Sequence, residues 1–213
     1  MNTTTIIDAF PLQFIDGALD VVARHEVYNF LDNFSRYNQI QMHLDDHEKV
    51  TVTEWGIFII VVMMFGLKTA STTFQRIIME IFGEYFPAFM QAFLDDFVVY
   101  SRRVDHLDHL RPCLEKCLTT HLSLNPVKCA FEVTSDTLLG HIVNQKGIVV
   151  DPDNLVKAIL EVPILIDAIV LNQFLGQIRL HNRMLRYLAD FATPLHAAIH
   201  QTSFQWTEIK GKA

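Results

Sequence analysis

Hydrophobic positions in this chain fall into two kinds of pattern: short solid runs and stripes at helical spacing. The solid runs read as buried strands, because Phe, Val, Ile and Tyr favour a pleated state covered on both faces. One runs over Val27–Leu31 and ends on Asp32. Another pair, within residues 89–101, flanks Asp95-Asp96 and predicts a hairpin with two carboxylates at its tip. Val50–Thr53 is a further strand. The turn at Trp55-Gly56 leads into the longest apolar run, Ile57 to Leu67, which predicts a buried strand and turn. Later candidates are Cys129–Val133, Thr137–Val143 and Ile148–Val150, the last two joined by a turn at Asn144–Gly147.

The stripes predict helices. Ile15, Leu19 and Val22 mark a short one from about Asp16 to Arg24. Phe74, Ile77, Ile78, Ile81, Phe82 and Tyr85 mark the clearest, with Ser71 or Thr72 as its cap and Gln75, Arg76 and Glu80 off the stripe. Asp105 to His121 carries Leu107, Leu110, Leu114 and Cys117 on one side. Pro112 predicts a kink or a later start there, since proline in a helix interior costs about 3 kcal/mol. Asp151-Pro152 starts a helix to about Glu161, with Asp as cap and Pro at the first helical position. Residues 167–198 read as helical throughout, with Leu175, Ile178, Leu185 and Leu188 as apolar contacts, and Ser203–Thr207 opens another strand.

Charge changes the picture at a few places. Two adjacent carboxylates at the tip of an apolar hairpin raise each other's pKa unless a cation meets them. A divalent metal is one such cation, and a solvated turn is the plainer reading of any single Asp-Asp pair. Asp32 likewise sits at a strand end, before an Asp-Asn turn. Arg179, Arg183 and Arg186 share one helical face, which is either solvated or suited to tracking phosphates. His106, His109, Cys113, Cys117, His121 and Cys129 have zinc-like spacings but no Cys-x-x-Cys pair, and read as buried thiols and surface imidazoles.

Half of the 213 residues are apolar, a core-forming composition. The net charge of −7 runs against the basic balance usual for nucleic-acid proteins, although local clusters still bind phosphate. Three cysteines predict no disulfide framework and a reducing, intracellular setting. No signal peptide is read after Met1, and no apolar run approaches the roughly 20 residues of a membrane span.

Taken in order, these stretches resemble the reverse transcriptase of gypsy-type long-terminal-repeat retrotransposons. Ala9-Phe10-Pro11-Leu12 with Phe14-Ile15-Asp16 resembles its opening segment. Phe30-Leu31-Asp32 through Gln39-Ile40 resembles its first carboxylate motif. Asp46 to Thr53 and Trp55-Gly56 resemble its Asp-x-x-Lys-Thr segment and Tyr-Gly turn. Phe65-Gly66-Leu67 and Thr73-Phe74-Gln75-Arg76 resemble two further motifs, and Phe93-Leu94-Asp95-Asp96 resembles its aromatic-x-Asp-Asp box. Leu124-Asn125-Pro126-Val127-Lys128-Cys129, Leu139-Gly140-His141, Phe174-Leu175-Gly176 and Thr193-Pro194-Leu195 complete the series.

The resemblance implies an α+β polymerase palm, an antiparallel sheet backed by helices, with partial fingers over residues 1–160. A helical thumb or connection segment follows over 161–202, and 203–213 begin a truncated ribonuclease H-like domain. It implies RNA-directed DNA polymerisation with two Mg²⁺ ions, or Mn²⁺, held by Asp32, Asp95 and Asp96, with Asp96 accessory. Tyr37 is implied as the residue that senses the 2′ position of the sugar, and Phe65 and Gly66 as nucleotide contacts. Gln75, Arg76, Leu139, Gly140 and His141 are implied contacts of primer or template, and the spacing adds Arg179, Arg183 and Arg186. Implied partners are an RNA/DNA template-primer, dNTP and the ribonuclease H, protease and integrase of a polyprotein. The setting is the cytoplasm, in a virus-like particle, or the nucleus, with no membrane.

The pattern departs from the family at Arg36, where a Gly precedes the Tyr, and at Met64, where a Pro precedes the Phe. It also departs at Thr69-Ala70-Ser71 and at Lys49-Val50-Thr51-Val52. Two other readings are a non-catalytic remnant acting as a nucleic-acid or protein binding module, and an acidic metal-binding protein of other ancestry. The last requires the ordered motif series to be coincidental, and a placement of Asp32 far from Asp95 would support it.

Overall fold

Two strands at the centre of the first compact unit, residues 1–148, are apolar on both faces because both faces are covered. The computed structural model describes residues 6–46, 50–150, 168–179, 185 and 187–199. The central strands are β1 (Val27–Asp32) and β5 (Asp96–Ser101), paired antiparallel from Val27↔Ser101 to Asp32↔Asp96. With β4 (Met90–Phe93) and β6 (Ala130–Val133) they form a sheet of order β4-β5-β1-β6.

Side chains alternate across this sheet. Leu31, Phe97 and Val99 join a core with Phe74, Ile78 and Phe82 of α2 (Ala70–Phe82) and Cys113 and Cys117 of α3 (His106–Thr119). Tyr28, Phe30, Val98 and Tyr100 join a second core on the opposite face. Leu19 and Val22 of α1 (Ile15–Val22) cover that face, with Leu138 of β7 (Ser135–Leu138) and Val143 of β8 (His141–Asn144). Burying each such large apolar side chain contributes about 1.5–3 kcal/mol. The arrangement bears out an antiparallel sheet backed by helices.

Several expectations are corrected. The run from Ile57 to Leu67 is exposed over its first part, while Met63 within it is buried in the core. Among the described residues strand β3 (Gly56–Ile59) pairs only with β2 (Val50–Thr53), and Ile57, Phe58 and Ile59 are 70%, 51% and 60% exposed. A two-stranded hairpin has no second layer of its own to cover it. Helix α2 is not capped by Ser71 or Thr72. Both lie inside its first turn, where the Ser71 hydroxyl meets Tyr37 Oη and the Thr72 hydroxyl donates to the Thr69 carbonyl.

Helix α3 starts at His106 and runs through Pro112 without a later start. Its buried side is His106, Cys113 and Cys117, while Leu107 is 71% exposed. That burial offsets the missing proline N–H. His106 is therefore no surface imidazole. Its Nε2 accepts from the Asn29 amide at 2.6 Å and its Nδ1 lies 2.6 Å from Ser101 Oγ. The Glu132 backbone N–H donates to Asn29 Oδ1, which leaves the Asn29 amino group facing His106 and assigns the ring proton to Nδ1. Burial lowers the pKa of this imidazole.

The strand expected over Thr137–Val143 is divided. Leu139 (φ 51°) and Gly140 (φ 78°) form a two-residue turn between β7 and β8, which pair from Ser135↔Asn144 to Leu138↔His141. Two positive φ values in succession make the turn that suits a tight hairpin, and Gly140 meets that demand without strain. Strand β9 (Gly147–Val150) completes this second sheet, order β7-β8-β9.

Residues 1–148 and 149–213 are separate compact units. In the second, α4 (Ala168–Arg179) and α5 (Leu188–Ile199) pack through Leu171, Leu175 and Leu195. The continuous helix expected over 167–198 is interrupted, with Leu185 in a bend and Tyr187 in a turn at φ 61°. Leu185 is 41% exposed. The expected helix after Asp151, the strand at 203–207, Arg183 and Arg186 lie outside the described residues.

Phe82 packs against Phe97 at 5.6 Å between ring centroids, with no exposed surface. Phe82→Ala should lower unfolding free energy in urea by about 3–5 kcal/mol. Phe58→Ser, on the exposed hairpin, should change it by less than about 0.5 kcal/mol. A large loss at Phe58 would contradict the exposure of that run.

Candidate active site

The β1–β5 register sets Asp32 directly across from Asp96 at the end of the sheet. Strand β4 pairs with β5 through Phe93↔Asp96, so Leu94-Asp95 is the two-residue turn between them. Leu94 sits at φ 55°, a conformation that costs a branched residue about 1–2 kcal/mol. The turn is held by Gln75 of α2, whose Oε1 accepts from the Leu94 N–H at 2.7 Å and whose Nε2 donates to the Ala92 carbonyl at 3.0 Å. Gln75 has no exposed surface. Both ends of the amide are used to position the Asp95 turn.

One oxygen from each of Asp32, Asp95 and Asp96 lies within 4.8 Å of the others. Two of the three have a cation. Arg36 ion-pairs with Asp95 Oδ2, and Lys128 Nζ lies 3.5 Å from Asp32 Oδ2. Among the described residues no ion pair reaches Asp96. Burial first, and then the charges of Asp95 and Asp32, push its carboxyl up to about 6. Against burial, hydrogen bonding and charge attraction to Asp95 hold the Arg36 pKa above its ordinary value.

Asp32 is fixed through the segment that carries Lys128. The Asn125 N–H donates to the Asp32 carbonyl at 2.9 Å, and Asn33 bridges to Leu124. A cavity of about 160 Å³ opens beside the carboxylates, lined by Asp32, Asp96, Lys128, Asp136, Thr137 and Leu138. Strand β7 therefore flanks the cluster, and the Leu139-Gly140 turn follows directly after it. His141, at 2% exposed, is buried behind that turn, its Nδ1 3.0 Å from the Leu139 carbonyl.

Tyr37 is 5% exposed. Its ring packs against Phe65 at 5.0 Å and Phe74 at 5.8 Å, and its hydroxyl lies 2.8 Å from Ser71 Oγ. Phe65 is 58% exposed and Gly66 has φ 87°. Arg76 pairs with Asp8 at 3.1 Å and Glu80 at 2.9 Å, and so ties α2 to the residues before α1. Arg179 ends α4 in the second unit, and Cys113 and Cys117 are buried thiols pushed up to about 12 and about 11. The sequence singled out neither Lys128 as a counter-charge nor Gln75 as a clamp. Lys128 stands within the Asn-Pro-Val-Lys-Cys motif, which was the available signal.

A carboxyl with a raised folded-state pKa binds its proton more tightly folded than unfolded. The stability this provides is present below about pH 4 and lost as pH rises through about 6. In EDTA, unfolding free energy of the wild type relative to Asp96→Asn should fall by on the order of 1–2 kcal/mol between pH 4 and 7, after allowance for partial exposure. A pH-independent difference in urea titrations would contradict this.

A family model described as reverse transcriptase (RNA-dependent DNA polymerase) matches residues 3–143. The retrovirus-related Pol polyprotein from transposon 412 of Drosophila melanogaster is 29% identical over all of this chain. That from transposon opus is 32% identical over 92% of it. The chain spans only 17% and 20% of those two polyproteins. Among solved structures, a foamy viral protease-reverse transcriptase in complex with double-stranded DNA superposes with TM-score 0.90 at 16% identity. It covers 99% of this chain and 38% of its own. The same viral protein with an RNA/DNA hybrid gives 0.84, covering 99% and 29%. The fold is thus the reverse transcriptase palm, and the chain belongs to the reverse transcriptase family, in the lineage of long-terminal-repeat retrotransposons.

Proposed function

We propose that the chain is the palm of an RNA-directed DNA polymerase that extends a primer by phosphoryl transfer from dNTP. One observation carries this reading: Asp32 and Asp96 face each other across a strand pair, with Asp95 at the adjoining turn. All-oxygen donors at this separation suit a hard divalent cation. Asp32 and Asp95, with Asp96 accessory, would hold two Mg²⁺ or Mn²⁺ ions, which would supply activation of the primer 3′ hydroxyl and neutralisation of the leaving pyrophosphate.

The chain's own residues do the rest by positioning. Gln75 holds the Asp95 turn, and the segment around Asn125 holds Asp32. Tyr37, fixed by Ser71, senses the sugar, while exposed Phe65 and Gly66 meet the incoming nucleotide. The Leu139-Gly140 turn, backed by His141, grips the primer strand beside the cavity. Arg179, Arg183 and Arg186 track phosphates. Residues 1–160 serve as palm and partial fingers, 161–202 as thumb or connection, and 203–213 begin a ribonuclease H-like domain. The working partners are an RNA/DNA template-primer and the ribonuclease H, protease and integrase of a polyprotein. The setting is intracellular, a cytoplasmic virus-like particle or the nucleus; among the described residues no helix is long and apolar enough to cross a membrane.

A second reading, a remnant that binds nucleic acid or protein without catalysis, is favoured by the Arg36 guanidinium on Asp95. Primer extension on an RNA template with Mg²⁺ separates the two. Incorporation by the wild type, lost at least about a hundredfold in Asp32→Asn and Asp95→Asn, supports the polymerase. Absence of incorporation, or incorporation indifferent to both changes, supports the remnant.

A further inference from the structure

Arg36 departs from everything else around the carboxylates. It lies at φ 32°, directly after Ser35 at φ 54°, so two successive non-glycine residues adopt the left-handed region. Such a conformation persists only where surrounding contacts over-determine it. Three contacts do so here. The Arg36 guanidinium ion-pairs with Asp95 Oδ2. Its Nη1 donates to Tyr37 Oη at 3.3 Å, and its central carbon lies 5.2 Å from the Tyr37 ring centroid. Tyr37 is itself anchored on Ser71.

The two cations at the cluster differ in how they are held. Lys128 is 66% exposed and 3.5 Å from its carboxylate, so it swings into water at little cost. Arg36 and Asp95 are only 27% and 24% exposed, and the planar guanidinium has a second acceptor and a ring face to keep it in place. A divalent ion that takes Asp95 as ligand meets a carboxylate whose Oδ2 this guanidinium already engages, and the two positive charges repel across it.

Resting on the reading of the triad as a metal site, we propose that Arg36 is a built-in competitor for the cation position at Asp95, so that divalent metal binds only as Arg36 is released. Arg36 is in this sense a positioning residue: it sets the metal affinity of the triad and couples metal entry to Tyr37.

The test is Mn²⁺ binding to the full chain, followed by the loss of the free-ion electron paramagnetic resonance signal, with no nucleotide or primer present. Arg36→Gly removes the charge and suits the left-handed backbone; Arg36→Gln removes the charge and keeps a side chain. Both should bind Mn²⁺ about tenfold more tightly than the wild type, since a unit positive charge beside the ligand is gone. Arg36→Lys should stay within about threefold of the wild type. Asp95→Asn should bind more weakly. Unchanged Mn²⁺ affinity in both neutral Arg36 variants, with weakened binding in Asp95→Asn, overturns the competitor role and leaves the metal site standing. Unchanged affinity in Asp95→Asn overturns both.

Discussion

The structure depends on one pairing, the antiparallel register that sets Asp32 opposite Asp96 at the end of β1 and β5. Like charges directly across a strand pair repel, and here both are partly withdrawn from water. The rest of that pair is among the most buried parts of the molecule: Val27, Tyr28, Phe97 and Val99 have no exposed surface. Apolar burial along the strands therefore holds in place a strand end that electrostatics disfavours. A one-residue slip would turn every side chain of β1 to the wrong core, so the register, and with it the carboxylate pair, is firmly specified.

Around this strained end the chain distributes its counter-charges unevenly. Arg36 neutralises Asp95 and Lys128 approaches Asp32, while Asp96 retains its proton to about pH 6. Three carboxylates with two cations leave the cluster one positive charge short, a condition that a divalent ion over-corrects unless one resident cation withdraws. The backbone beneath is held more firmly than the charges above it. Gln75 spends its whole amide on the Leu94 turn, and the Asn29–His106–Ser101 network ties β1, β5 and α3 together.

The hairpin of β2 and β3 is the counterexample within the same unit. Trp55, Ile57, Phe58, Ile59, Val61 and Phe65 are all more than half exposed. An apolar surface of this kind marks a contact site on many folded proteins. Its composition alone looks like a core, which is why the run from Ile57 to Leu67 reads as buried.

Solid apolar runs ending in carboxylates determined β1, the β4–β5 hairpin and the antiparallel class of the fold. The order of short motifs determined the family, because an ordered series is far more specific than any member. Helix α2 followed from its stripe for the same reason: local periodicity is a property of neighbours in sequence. What only tertiary structure decided were facts about partners distant in sequence. These were the opposition of Asp32 and Asp96, the clamp of Gln75 on Leu94, the buried imidazole of His106 and the break of Thr137–Val143 at Leu139-Gly140. The pairing of Arg36 with Asp95 belongs with them. Periodicity reports which side of an element is apolar, but not which distant polar group will meet a residue that breaks the pattern. At this site the groups that break the pattern are the ones that carry the chemistry.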